Sequence, residues 1–281
     1  MNPVEVLETI FREFPYAVYG SMLVGIACAF LGVHIVAKRV VFLGAVLTQV
    51  SVLGLTITFL PFVAIPHTVG ALAATLVTVI IISRLLTGKK IPRDAVLGVV
   101  FVTSVTARLL IMQKTPRVEV AEVENLLRGD ILFVTPELFF LMLAGFAVAL
   151  AVHLLFFKEF TFVTFDADTA AAQGYRAGVW ELVFYLIAGM VISLATHMVG
   201  DLFVFGFLVV PAVTAMLLSR SVKWIFLISV FIGVVAPIIG LYTAFLLDVP
   251  ASPAIVGVAS VGLGAAWLWG LAGLTPRRQP H

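Results

Sequence analysis

Residues 224–247 read WIFLISVFIGVVAPIIGLYTAFLL, 24 positions without a single Asp, Glu, Lys, Arg or His. As an α-helix rising about 1.5 Å per residue, this stretch extends roughly 36 Å, enough to cross the ~30 Å hydrocarbon layer of a bilayer. A helix also closes all its backbone hydrogen bonds internally, which lipid demands. Comparable stretches recur at about 17–37, 41–62, 68–86, 95–112, 138–157, 180–197, 202–218 and 254–274, so the chain is expected to span a membrane about nine times. The sixth and seventh are separated only by Met198–Asp201 and would count as one span plus a half-helix if they merged, which sets the range at eight to ten. Prolines mark the joints: Pro61 and Pro66, Pro92, Pro136, then Pro250 and Pro253. The expected fold class is all-α, a polytopic transmembrane helical bundle forming one membrane-spanning domain over residues 1–281.

Composition excludes the soluble alternative. The chain is 62% hydrophobic and 11% charged, with a mean hydropathy of +1.18, against about 25% charged residues in a soluble domain. Cys28 is the single cysteine, so neither a disulfide framework nor a thiolate metal cluster can form, and it reads as a small packing residue. The first residues, MNPVEVLETIFREFP, lack a cationic stretch and a small-residue cleavage site. They read as a short amphipathic lead-in helix, not a removable signal.

Basic residues orient the chain, because Lys and Arg concentrate in cytoplasmic loops. Lys38 and Arg39, then Arg84, Lys89, Lys90 and Arg93, then Lys158 and Arg176, then Arg220 and Lys223, and finally Arg277 and Arg278 fall in alternate loops. The opposite loops hold most of the acidic residues, among them Glu119, Glu122, Asp130, Asp201 and Asp248. The expected topology is N-terminus outside and C-terminus cytoplasmic.

One inside loop, residues 158–179, has a pattern of its own: KEFTFVTFDADTAAAQGYRAGV. Asp166 or Asp168 can cap a short helix through 170–172 that stops at Gly174. That helix would lie outside the bilayer, where it either docks a partner or closes a structured loop.

No phosphate loop, HExxH, GxSxG or paired-cysteine zinc motif is present, and the sequence MVGD at 198–201 is not the GxGD of intramembrane aspartyl proteases. Any uphill transport must draw on a partner or an ion gradient. Ionisable groups inside spans are costly and are functional candidates by default. Arg108 sits near a span end and is expected to snorkel to the interface, with a role in the translocation path as the alternative. His34 and His153 read as structural histidines, and Glu181 as a solvated residue at the inner interface. His197 and Asp201, at i,i+4, share one face if the helix continues through them, and imidazole and carboxylate suit Zn²⁺, Mn²⁺ and Fe²⁺. They are expected at the outer interface, either as metal contacts or as a solvated pair. Gln49, an amide in mid-span, either glues helices together or lines a path. Gly44, Gly54, Gly200 and Gly206 permit close helix approach.

Several segments together resemble the permease family of bacterial zinc, manganese and iron ABC importers. FDADTAAAQG at 165–174 is similar to that family's Phe-Asp-x-x-x-Ala-x-x-x-Gly segment, and VGDLFVFGFLVVPAVTAMLLS at 199–219 to its Val-Gly-x-Leu-Leu-Val…Pro-Ala-x-x-Ala signature, with Gly200, Pro211, Ala212 and Ala215 in register. RGDILFVTPEL at 128–138 and LLDVPASPAIVGV at 246–258 also fit. The resemblance implies a type II ABC importer-like permease in a bacterial inner membrane, without enzyme activity of its own. It would form a homodimer with a cytoplasmic ATPase subunit and an extracytoplasmic solute-binding protein, and a divalent metal ion would be its cargo with no permanently bound cofactor. Phe165, Asp166, Ala170 and Gly174 would then belong to the coupling helix that meets the ATPase. One departure stands out. The family's Asp and His at i,i+4 on span two correspond here to Ala45 and Gln49, so His197, Asp201 and Gln49 become the candidate metal path. A metal chelate as cargo, or an ion-gradient secondary transporter, are the alternative readings.

Overall fold

The computed structural model describes residues 8, 10–60, 63–86, 92–115, 120–121, 123–124, 131, 134–165 and 167–271. Among them there is no strand, and the long elements are all helices: α1 (Pro15–Ala37), α2 (Phe42–Thr58), α3 (His67–Leu86), α4 (Arg93–Met112), α5 (Pro136–Leu155), α6 (Phe157–Phe165), α7 (Ala167–Ala172), α8 (Ala177–Val199), α9 (Asp201–Leu218), α10 (Val222–Leu247) and α11 (Ala251–Leu271). Each of the nine apolar stretches is one helix. Eight are long and apolar enough to cross a membrane, and α2, the ninth, is shorter at 17 residues.

Burial sorts these helices into a centre and a periphery. Most of α1 and α8 is buried, whereas α4, α5 and α11 turn one edge inward. Their outer faces carry Val99, Val102, Leu110, Leu154 and Val261, all exposed. Helices apolar all round, with large aliphatics pointing outward, suit a lipid surround.

With lipid outside, burial of apolar area does little to hold one helix against another, so close backbone approach and hydrogen bonds take over. At the crossing of α1 and α10, a Cβ on Gly25 or on Gly233 would run into the other's backbone. A few residues along, Ser229 Oγ donates to the Ala29 carbonyl at 2.9 Å. Ser252 Oγ of α11 likewise donates to the Val199 carbonyl at 3.1 Å. Pro211 and Pro237 lie inside α9 and α10. Buried Ala212 and Ala215, following Pro211, pack with Val33 and Ile225, so this signature segment serves helix packing.

The sixth and seventh stretches are two helices joined by one residue. Gly200 adopts φ 85° and ψ 168°, a region that side chains exclude, and it ends α8 and starts α9. The i,i+4 face expected for His197 and Asp201 therefore does not form, because the helix does not continue through them.

At one end of the bundle, α1 closes at Lys38 and α8 opens near Glu181, whose side chains pair at 3.7 Å. Glu181 is therefore ion-paired and only 20% exposed, contrary to the solvated role expected of it. Lys38 also lies over the Phe184 ring at 5.8 Å. Burial lowers the Lys38 pKa from its ordinary value, and Glu181 partly opposes that shift.

Beside this end lie α6 and α7. Tyr175 N–H donates to the Ala170 carbonyl at 3.0 Å across Gly174, which has φ 89°. That is a Schellman stop with glycine in the left-handed position. The short helix runs over Ala167–Ala172, longer at its start than the expected 170–172, with Ala170 fully buried and Gly174 exposed. Phe165 ends α6, and Asp166 lies outside the described residues.

Candidate functional site

The site begins with an amide that has no business in lipid unless it is paired. Gln49 is the eighth of the 17 residues of α2, so about 13 Å of helix separate it from the end at Thr58. It is 9% exposed. Its Nε2 donates to Asp201 Oδ2 at 2.7 Å, a length typical of a bond to a charged acceptor. Gln49 Oε1 is buried without a partner. Asp201 thereby stands level with the middle of α2. It occupies the first turn of α9, where free backbone N–H groups favour a negative charge.

A third group joins from α4. Arg108 does not snorkel: it is 8% exposed, and its Nε and Nη1 are buried without partners. Its charge and that of Asp201 act on each other. They do not close an ion pair with each other. Gln49 Oε1 and two nitrogens of Arg108 are thus buried with their hydrogen-bonding capacity unused. The signal for Arg108 in the sequence was its place within an apolar run. What hid its role was the choice between span end and span interior.

His197 is not part of this cluster. It closes the last turn of α8 with Nδ1 buried and unpartnered, toward the end of the bundle that holds His67. His67 in turn shares a 2.6 Å hydrogen bond with Thr58 Oγ1. The structure therefore brings Gln49 and Asp201 together and leaves His197 apart. Ala45, one turn before Gln49, offers no ligand; its carbonyl accepts from Thr48 Oγ1 at 2.9 Å. Ser51 and Ser193 bridge α2 and α8 nearby at 2.9 Å. Among the described residues, no three His, Cys, Asp or Glu side chains are grouped to hold a metal.

A second buried pair lies toward the Lys38 end. His153 Nε2 and His34 Nε2 are 3.2 Å apart, and both residues are fully buried. Phe160 stacks on His153 at 4.4 Å, and Phe30, Phe184 and Phe226 complete the wall around the pair. One ring must donate and the other accept, so the pair ties α1 to α5 as the expected structural histidines would.

Comparison with known proteins agrees with this architecture. The model of the ABC 3 transport family matches residues 11–268. A probable iron transport system membrane protein of Haemophilus influenzae is 27% identical, covering 94% of this chain and 94% of its own. The manganese transport system membrane protein MntD of Bacillus subtilis is 26% identical, covering 89% of each chain. Among solved structures, PsaBC from Streptococcus pneumoniae in complex with Fab superposes with a TM-score of 0.82 at 22% identity, over 94% of this chain and 95% of that one.

Proposed function

The chain belongs to the ABC 3 transport family, and from that membership we propose that it carries a transition metal, manganese or iron before zinc, through the membrane on energy from a separate ATPase subunit. It is a multi-pass transport subunit, not an enzyme. The metal assignment is supported by the manganese and iron systems to which its relatives belong. The observation that carries the reading is the Gln49–Asp201 pair, a buried polar station between helices that otherwise present aliphatic surface. An intramembrane carboxylate on a path interior is what a cation-handling permease needs.

The rest of the machine follows in order. The face bearing α6, α7 and Gly174 meets the ATPase, with Phe165, Asp166 and Ala170 in the docking element. A solute-binding protein delivers cargo at the opposite face, and a second copy completes the path. His197 and His67 lie on the delivery side of Asp201. The N-terminus is outside and the C-terminus cytoplasmic. ATP binding and release move the docking helix, and with it the spans around the station.

The deciding experiment is reconstitution of the permease in liposomes with its ATPase and binding protein. Hydrolysis should rise when manganese or iron is supplied, and Asp201→Ala should abolish the rise while the ATPase still co-purifies. Full stimulation of that variant would remove Asp201 from the path. Absence of stimulation by either metal in the parent protein would remove the metal assignment.

A further inference from the structure

Resting on that docking of the ATPase at α6 and α7, we propose that His34 and His153 are positioning residues for transport. Their contact carries movement of the docking element into α1, and from α1 to the helix that bears Asp201.

The contacts form an unbroken series. Beyond Gly174, Tyr175 meets Phe162 of α6 edge to face, with ring centroids 5.6 Å apart, so the turn after α7 is held to the helix before it. Two residues back, and so on the opposite face of α6, Phe160 is 2% exposed. Its ring lies flat on that of His153, with centroids 4.4 Å apart and planes 13° apart. His153 reaches His34 of α1 through the 3.2 Å contact between their Nε2 atoms. About half a helical turn before His34, a Cβ on Gly32 would meet the backbone of Leu208 in α9. That helix starts at Asp201.

As packing alone, the pair is a poor choice. Two neutral imidazoles sharing one proton between Nε2 atoms leave the accepting ring with N–H at Nδ1 and the donating ring with a bare Nδ1. Both Nδ1 atoms are buried without partners, so each bond made leaves one donor and one acceptor unmet. Unmet buried groups lower stability, whereas replacing both partners by apolar side chains is close to neutral. The surrounding wall of Phe30, Phe184 and Phe226 would accept such side chains.

What the pair adds is direction. Phe160 also touches Trp180 and Phe184 of α8, at 5.5 and 6.4 Å, but ring faces slide past one another with little loss. A hydrogen bond weakens steeply once misaligned. It is either made or broken, and an element with two discrete arrangements is what coupling between distant sites requires.

The test measures ATP hydrolysis and Mn²⁺ or Fe²⁺ uptake in the same vesicles, with permease, ATPase and binding protein reconstituted together, and melting temperature in detergent. His153→Leu strands His34 and should lower the melting temperature. The double variant His34→Leu/His153→Leu should recover it to within about two degrees of the parent's. It should co-purify with the ATPase and hydrolyse ATP, yet move roughly tenfold less metal per ATP. His153→Gln, whose amide can restore the single bond to His34, should keep most of the parent's metal-to-ATP ratio. Parent-like uptake per ATP in the double variant overturns the proposal. So does a double variant that melts as low as the single one, which would make the pair a structural tie only. A His153→Gln protein as uncoupled as the double variant overturns it too. A parent that hydrolyses ATP without taking up metal counts against the transport reading, and the melting comparison, which needs no transport, then judges the pair.

Discussion

Gln49 and Asp201 stand 152 positions apart in the chain and share a hydrogen bond of 2.7 Å. The bond fixes the start of α9 against the middle of α2.

Gln49→Leu should therefore destabilise the protein, because Asp201 keeps its burial and loses its donor. The expected cost is about 1.5–3 kcal/mol, the worth of a hydrogen bond to a charged group. Thermal unfolding in detergent measures it, and the double variant Gln49→Leu/Asp201→Leu should recover much of the loss. No recovery would mean that the pair is not coupled. In transport, Asp201→Ala should lower metal uptake by about tenfold or more, and His197→Ala by less, since His197 lies outside the cluster.

Gly200→Ala should be costly out of proportion to one methyl group. The backbone there holds φ 85° and ψ 168°, and forcing a side chain into that region costs roughly 1–3 kcal/mol. A melting temperature within one degree of the parent's would show that the turn between α8 and α9 can be remade.

The Lys38–Glu181 pair gives a pH dependence with a definite sign. Burial lowers the pKa of Lys38 from its ordinary value despite Glu181. The unfolded chain then binds more protons than the folded one between the lowered and the ordinary lysine pKa, so stability rises with pH across that window. Below the window the penalty for a buried charge is present in full. Melting temperatures of the parent should climb as pH rises toward the ordinary lysine pKa of about 10, and Lys38→Met should flatten the climb. An identical climb in both proteins would assign it to other groups.

Topology can be read with one thiol. Cys28 is fully buried, so Gln173→Cys, at an exposed position next to Gly174, supplies the single accessible sulfhydryl. A membrane-impermeant maleimide should label it only in opened or inverted vesicles. Labelling in intact cells would put α7 on the wrong side for an ATPase.

Much of the fold is visible in the order of residues, for a simple reason. Hydrocarbon thickness forces apolar runs of fixed minimum length, and 224–247 declares itself by the absence of charge alone. The stop of α7 at Gly174 was equally legible, since a glycine following Ala170–Ala172 is how such helices end. The candidate site was less so. Gln49 and Asp201 were each singled out, yet nothing local says that residues 152 apart in the chain will meet. His197 was paired with Asp201 by spacing, and the one residue between the helices, Gly200, undid the pairing by its backbone angles. The burial of Arg108 is not legible in the sequence, because snorkelling depends on what covers a side chain and the contact of α4 with α2 is a tertiary fact.

The crossing of α1 and α10 has a mechanical consequence. Where Gly25 meets Gly233 there are no side chains to deform between the two backbones, and Ser229 pins the same junction to Ala29. These helices travel as a single beam. A Cβ on Gly32 would likewise run into the backbone of Leu208 on α9, so α1, α9 and α10 are clamped into one block.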